Sequence, residues 1–81
     1  MIEFDDLDMY EEVESSNIKW VGSKGHHLIV AFHQGGVYAY PHMADEFQSL
    51  ISAESVGKYF AREIKNKDYS RILSLDDVEE F

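Results

Sequence analysis

The chain is 81 residues long, with 44% hydrophobic residues, eleven aromatics, no cysteine and a net charge of −9. That is one domain at most, near the size where a single core becomes marginal, yet too apolar for a disordered chain. Disulfides and thiolate metal sites are excluded, and no apolar run nears the roughly 18 residues of a membrane span, so a soluble cytoplasmic protein is expected.

Residues 1–14 carry seven acids (Glu3, Asp5, Asp6, Asp8, Glu11, Glu12 and Glu14) and no base. They lack the basic-then-apolar order of a secretory leader. They also carry Ile2, Phe4, Leu7, Met9 and Tyr10, more large apolar groups than a solvated charge run needs. Together with similar apolar groups at the C-terminal end, this leads to the expectation that at least one end docks on the domain or on a partner chain. "NIKWVG" (17–22) alternates roughly and predicts a first strand. "SKG" predicts a turn in which Gly25 takes the positive φ of a tight reversal. "HHLIVAFH" (26–33), rich in β-branched and aromatic residues, predicts a second strand, and Gly35-Gly36 reverse the chain into a third, "VYAY" (37–40). Links this short permit only antiparallel pairing, hence a three-stranded meander.

After Pro41 the period changes. Phe47, Leu50 and Ile51 recur at helical spacing in "ADEFQSLISA", with Asp45 and Glu46 suited to the positive end of a helix dipole. Ser55 is placed to cap a second helix, "VGKYFAREIKN", whose Val56, Tyr59, Phe60 and Ile64 form an apolar stripe. Residues 74–81 add four acids, Asp76, Asp77, Glu79 and Glu80, while residues 15–73 hold all seven bases against five acids and so carry +2. The apolar groups Ile72, Leu73, Leu75, Val78 and Phe81 run through the C-terminal end. The expected fold is α+β: a three-stranded antiparallel meander packed by two C-terminal helices between acidic terminal segments. The ends add a strand or helical turn, or mediate self-association into a homo-oligomer.

Tyr38 and Tyr40 stand two residues apart in a strand and so share one face, with Val37 and Ala39 on the other. Their rings either fill a core or form a stacking platform. Lys58, Arg62 and Lys65 fall at i, i+4 and i+7 on one helix face, either an ordinary solvated side or a phosphate-contacting one, with Arg62 suited to a bidentate grip. Ser15 and Asn17 supply neutral donors or turn contacts. His26 and His27 point to opposite faces of a strand, and no zinc spacing is present, so no metal or other cofactor is expected. Without cysteine or a glycine-flanked serine elbow, no catalytic residue is assigned.

The ordered set Ser15-Ser16-Asn17-Ile18, Val30-x-Phe32, Gly35-Gly36-Val37-Tyr38-Ala39-Tyr40, Phe47, Leu50, Ala53-x-Ser55-x-Gly57-x-Tyr59-Phe60, Ile64 and Tyr69 resembles a KTSC domain. This short module is named after the C-terminus of some lysyl-tRNA synthetases and also occurs free-standing. The resemblance runs over residues 15–73, leaving an acidic N-terminal segment (1–14) and an acidic C-terminal segment (74–81). Two positions depart from the family pattern: Met43-Ala44 stand where Val-Pro is usual, and Ala61 where Asn commonly follows the Tyr-Phe pair. The resemblance implies an association with RNA, and an occurrence in bacteria and their viruses.

Residues and resemblance together predict a non-catalytic binding module for a nucleotide-like ligand or short RNA. Tyr38 and Tyr40, or Tyr59, would stack a base. Arg62, Lys58 and Lys65 would meet phosphate, with Ser15 and Asn17 beside them. A virus-encoded form would sequester a host nucleotide signal. Long nucleic acid fits less well, because the acidic ends oppose a polyanion more than a compact ligand. The alternative is an acidic inhibitor that docks on a basic host protein through its ends.

Overall fold

In the computed structural model, five strands form one antiparallel sheet in chain order: β1 (Met9–Glu12), β2 (Ile18–Lys24), β3 (His27–Phe32), β4 (Val37–Tyr40) and β5 (Ser70–Ile72). Helices α1 (Glu46–Ile51) and α2 (Val56–Glu63) separate β4 from β5, and short 3-10 helices occupy Phe4–Asp6 and Leu75–Glu80. The structure describes residue 2 and residues 4–80; Glu3 and Phe81, named above among the terminal acids and apolar groups, lie outside the described residues. The meander and both helices are present, with bounds that differ from those predicted: Ser23 and Lys24 belong to β2, the turn falls at Gly25 and His26, and α2 ends at Glu63. The three-stranded expectation is corrected to five, because the N-terminal segment contributes the edge strand β1 and residues 70–72, after α2, contribute the edge strand β5.

The physical reason lies in β3. Its Leu28 and Val30 face the helices, in a core with Ile18, Val21, Phe47, Leu50, Phe60 and Ile64. Ile29 and Ala31 face the other way, where Trp20, Ala39, Ile72, Leu75 and Val78 form a second core. A strand apolar on both sides needs both sides covered. The helices cover one face; on the other lie Ile2, Leu7, Tyr10, Ile72, Leu75 and Val78 from the two ends of the chain, while Phe4, Met9 and Leu73 stay exposed.

Local devices make this possible. In β2 an extra residue at Lys19 shifts the register between Ile18 and Trp20. The bulge turns two residues that simple alternation would place together onto opposite faces, Ile18 to the first core and Trp20 to the second. Phe4 and Tyr10 then close around Trp20 at ring distances of 5.3 and 5.4 Å, anchoring the N-terminal segment. Asp8 reaches across to the β2–β3 reversal, its carboxylate accepting the Gly25 N–H at 2.7 Å; Gly25 has the predicted positive φ, 58°. At the other end the Asp77 carboxylate accepts the N–H groups of Leu73 and Ser74 at 2.9 and 3.2 Å. Those two bonds, Leu73 first, hold its carboxyl below the usual range. Two of the terminal acids thus have structural partners.

β1 lies close against β2 because Gly22 has no side chain. A Cβ there would stand 2.9 Å from the Met9 carbonyl oxygen and 3.1 Å from a Leu7 methyl. Gly22→Ala is therefore expected to destabilise the fold by about 1–3 kcal/mol through displacement of β1, read as a lowered urea midpoint. An unchanged midpoint would show that β1 adds no stability.

Candidate functional site

Strand alternation sends Tyr38 and Tyr40 to the helix-covered face, and their surroundings then differ. Tyr40 is 2% exposed, with Phe60 edge-on at 5.9 Å and Tyr69 at 5.6 Å. The expectation that it stacks a ligand is corrected: its ring is a core element. Burial, with lesser contributions from Tyr69 and Tyr38, pushes its hydroxyl up to about 12. Tyr38 is half-buried, and its ring stands 5.4 Å from Phe32.

Tyr38 lines an open groove of about 380 Å³, within the usual size for small-ligand sites. The entry to β2 supplies Asn17 and Ile18, the end of β3 supplies Phe32, the β3–β4 turn supplies Gln34 and Gly35, α2 supplies Gly57, Phe60 and Ala61, and the turn after α2 supplies Lys65. Phe32, Tyr38 and Phe60 contribute aromatic rings, and the polar side chains are the amides of Asn17 and Gln34, the Tyr38 phenol and the Lys65 ammonium. Ser15 does not line the groove. Its hydroxyl accepts the N–H groups of Asn17 and Ile18, both at 3.2 Å, a local turn that fixes the strand entry. His33 secures the same corner: its N–H donates to the Asn17 carbonyl at 2.9 Å, and its Nε2 stands 3.0 Å from the Ser15 carbonyl. A carbonyl only accepts, so that nitrogen carries the proton. Gly57 lets the strand entry approach α2, for a Cβ there would touch the Ser15 hydroxyl at 3.4 Å.

Ser55 caps α2 as predicted, its hydroxyl accepting the Lys58 N–H at 3.3 Å. The expected single helix face of cations is corrected: α2 ends at Glu63, so Lys65 lies in the turn beyond it. Lys65 borders the groove, whereas Lys58 and Arg62 lie with Tyr59 around a separate depression of about 350 Å³. There Arg62 is already engaged. Its Nε donates to Glu63 at 2.8 Å, and its guanidinium lies 5.4 Å from the Tyr59 ring centre. The Tyr59 hydroxyl donates to Glu46 at 2.7 Å, tying α2 to α1 and raising its own pKa. Of the predicted site residues, Asn17, Tyr38 and Lys65 are brought together, Lys58, Tyr59 and Arg62 form a second group, and Ser15 and Tyr40 act as supports.

Phe32, Gln34, Gly57, Phe60 and Ala61 were not anticipated as groove residues. The available signal was Gly57, whose cost inside a helix asked for a close approach. Among the described residues, no group of three or more His, Cys, Asp or Glu is arranged to hold a metal ion, and no helix is long and apolar enough to cross a membrane.

The fold and groove define a small α+β domain whose antiparallel sheet is covered on both faces. The chain belongs to the KTSC domain family, whose model matches residues 14–69 of the 81. No curated protein matches it. Seven of the groove residues, Asn17, Ile18, Phe32, Gly35, Tyr38, Gly57 and Phe60, belong to the set that carries the family resemblance, and Ala61, a position of departure, lines the groove beside them.

The raised Tyr40 hydroxyl has a consequence for stability. A tyrosine favoured in its neutral form by folding contributes fully below pH 10, and the contribution is lost as pH rises from 10 towards 12. Urea midpoints of the parent are expected to fall over that window, and those of Tyr40→Phe to fall less, the two diverging by up to about 3 kcal/mol. Parallel curves would show that the hydroxyl is solvated. Tyr10 and Tyr59 are also raised and are common to both proteins.

Proposed function

We propose that this protein is a non-catalytic binding module for a nucleotide-like ligand, held in the groove between α2 and the β3–β4 turn. The observation that carries the reading is the composition of that groove: aromatic walls from Phe32, Tyr38 and Phe60, amides from Asn17 and Gln34, and the single ammonium of Lys65. A planar base suits aromatic rings, paired donor and acceptor amides suit base edges, and one cation suits one phosphate. The occurrence of this module at the C-terminus of some lysyl-tRNA synthetases is in keeping with such a ligand. Seven acids in residues 1–14 and four in 74–81 favour a compact ligand over a polyanion. A protein that binds without turnover acts by holding its ligand, and sequestration of a host nucleotide signal by a virus-encoded protein is the role we assign.

A thermal-shift panel of mono-, di- and cyclic nucleotides tests this. At a ligand concentration of 100 times Kd the fold gains about 2.7 kcal/mol, which raises Tm by roughly 10–20 °C in a domain this small. Lys65→Ala is expected to weaken binding about tenfold. No shift with any member of the panel overturns the reading.

A second reading, an acidic inhibitor of a basic host protein, is supported by β1. It is an edge strand, and Glu11, Glu12 and Glu14 line a depression with Glu54. Because Phe4, Leu7 and Tyr10 pack on the second core, truncation of residues 1–14 would unfold the protein. The informative variant replaces Glu11, Glu12 and Glu14 by lysine: a partner captured from host extract by the parent should be lost. Retention of the partner rejects this reading.

A further inference from the structure

Beyond the groove, the helix-covered face of the sheet continues onto β5. The register sets Arg71 opposite Tyr38 and Ser70 opposite Ala39, so Tyr69 and Arg71 share the face of Tyr38 while Ser70 and Ile72 take the other. Tyr69 is 56% exposed. Its ring lies 5.3 Å from that of Tyr38 and 5.6 Å from that of Tyr40. A tyrosine braced by two others and still more than half in solvent is a fixed stacking surface.

Between this surface and the groove lies Gly36, with φ 93°. The point its Cβ would occupy is 3.2 Å from the Tyr38 hydroxyl and 3.7 Å from the Arg71 Nε. The Tyr38 phenol thus lies close against Gly36, which has no side chain to displace it, with the Arg71 guanidinium beside it. Among the described residues no carboxylate pairs with Arg71, whereas Glu63 holds Arg62. Lys65 borders Tyr38 from the groove side, so two cations flank one tyrosine. An arginine fork beside a hydroxyl donor has the chemistry of a site for a tetrahedral oxyanion.

We propose that Arg71 and the Tyr38 hydroxyl hold a phosphodiester between the groove and Tyr69, with one base in the groove and a second stacked on Tyr69. The ligand is then a dinucleotide unit rather than a mononucleotide. The inference rests on the nucleotide reading of the groove and assigns it a length, a second stacking residue and a phosphate contact.

The test is isothermal titration of the full chain with ApA, CpC, GpG and UpU, each beside its 5′-mononucleotide. At least one dinucleotide should bind about tenfold or more tightly than its mononucleotide. Tyr69→Ala should weaken that dinucleotide by about 5- to 150-fold, the range of one base stack. Arg71→Ala should weaken it by about tenfold or more, with the loss larger for the dinucleotide than for the mononucleotide. Arg71→Lys, which keeps the charge without the fork, should recover only part, and it replaces Arg71→Ala if melting curves show that variant misfolded. Mononucleotide binding that Lys65→Ala weakens, with dinucleotides no tighter, overturns this inference and leaves the groove reading standing. Tighter dinucleotides with Arg71 variants silent overturn the phosphate assignment. No binding in either series overturns both.

Discussion

Ile29 and Ala31 point away from the helices, and a chain of 81 residues has little left to cover them once α1 and α2 close over Leu28 and Val30. The terminal segments are what remains, and most of the architecture follows from recruiting them. β1 and β5 extend the sheet, Leu75 and Val78 lie across its second face, and Phe4 with Tyr10 closes on Trp20. Each layer is too thin to be stable alone, since burial supplies only about 25 cal/mol per Å² and every ordered residue costs entropy. Sharing one sheet between two cores lets a single strand, β3, serve both.

That dependence explains what could be read from the chain and what could not. β3, β4 and their turns were legible because β-branched and aromatic runs bounded by glycines have one local meaning. α2 was legible from Ser55 and the stripe Val56, Phe60 and Ile64. β1 was not, because "MYEE" has no alternation; it is a strand only because Gly22 lets it lie against β2. β5 is three residues long and is specified by its partner rather than by its own composition. The Lys19 bulge left no mark in the sequence, yet it decides that Ile18 and Trp20 serve different cores.

The site divides along the same line. Tyr38, Asn17 and Lys65 were identifiable as polar or aromatic groups on predicted elements. Their neighbours Gln34 and Phe60 required knowing that His33 pins the β3–β4 turn to the start of β2. Helical spacing grouped Lys58, Arg62 and Lys65, but spacing is blind to what already neutralises a charge. Glu63 engages Arg62, and the surface turns between Lys58 and Lys65. The acids were similarly misjudged as a mass, since Asp8 and Asp77 each accept backbone N–H groups that hold the termini in place.

The pairing of β4 with β5 differs from the other three in sequence distance. β1 to β4 join through short reversals, whereas β5 can reach β4 only after both helices have formed the loop between Tyr40 and Ser70. Local pairings form early and long closures late, because the entropy of the loop is lost before its contacts form. Tyr38 thus spends the first part of folding beside an open edge, and Arg71 arrives last. The same edge is the natural place for the native protein to open transiently, so a ligand held by Arg71 would slow amide exchange along β5 well before it altered the centre of the sheet.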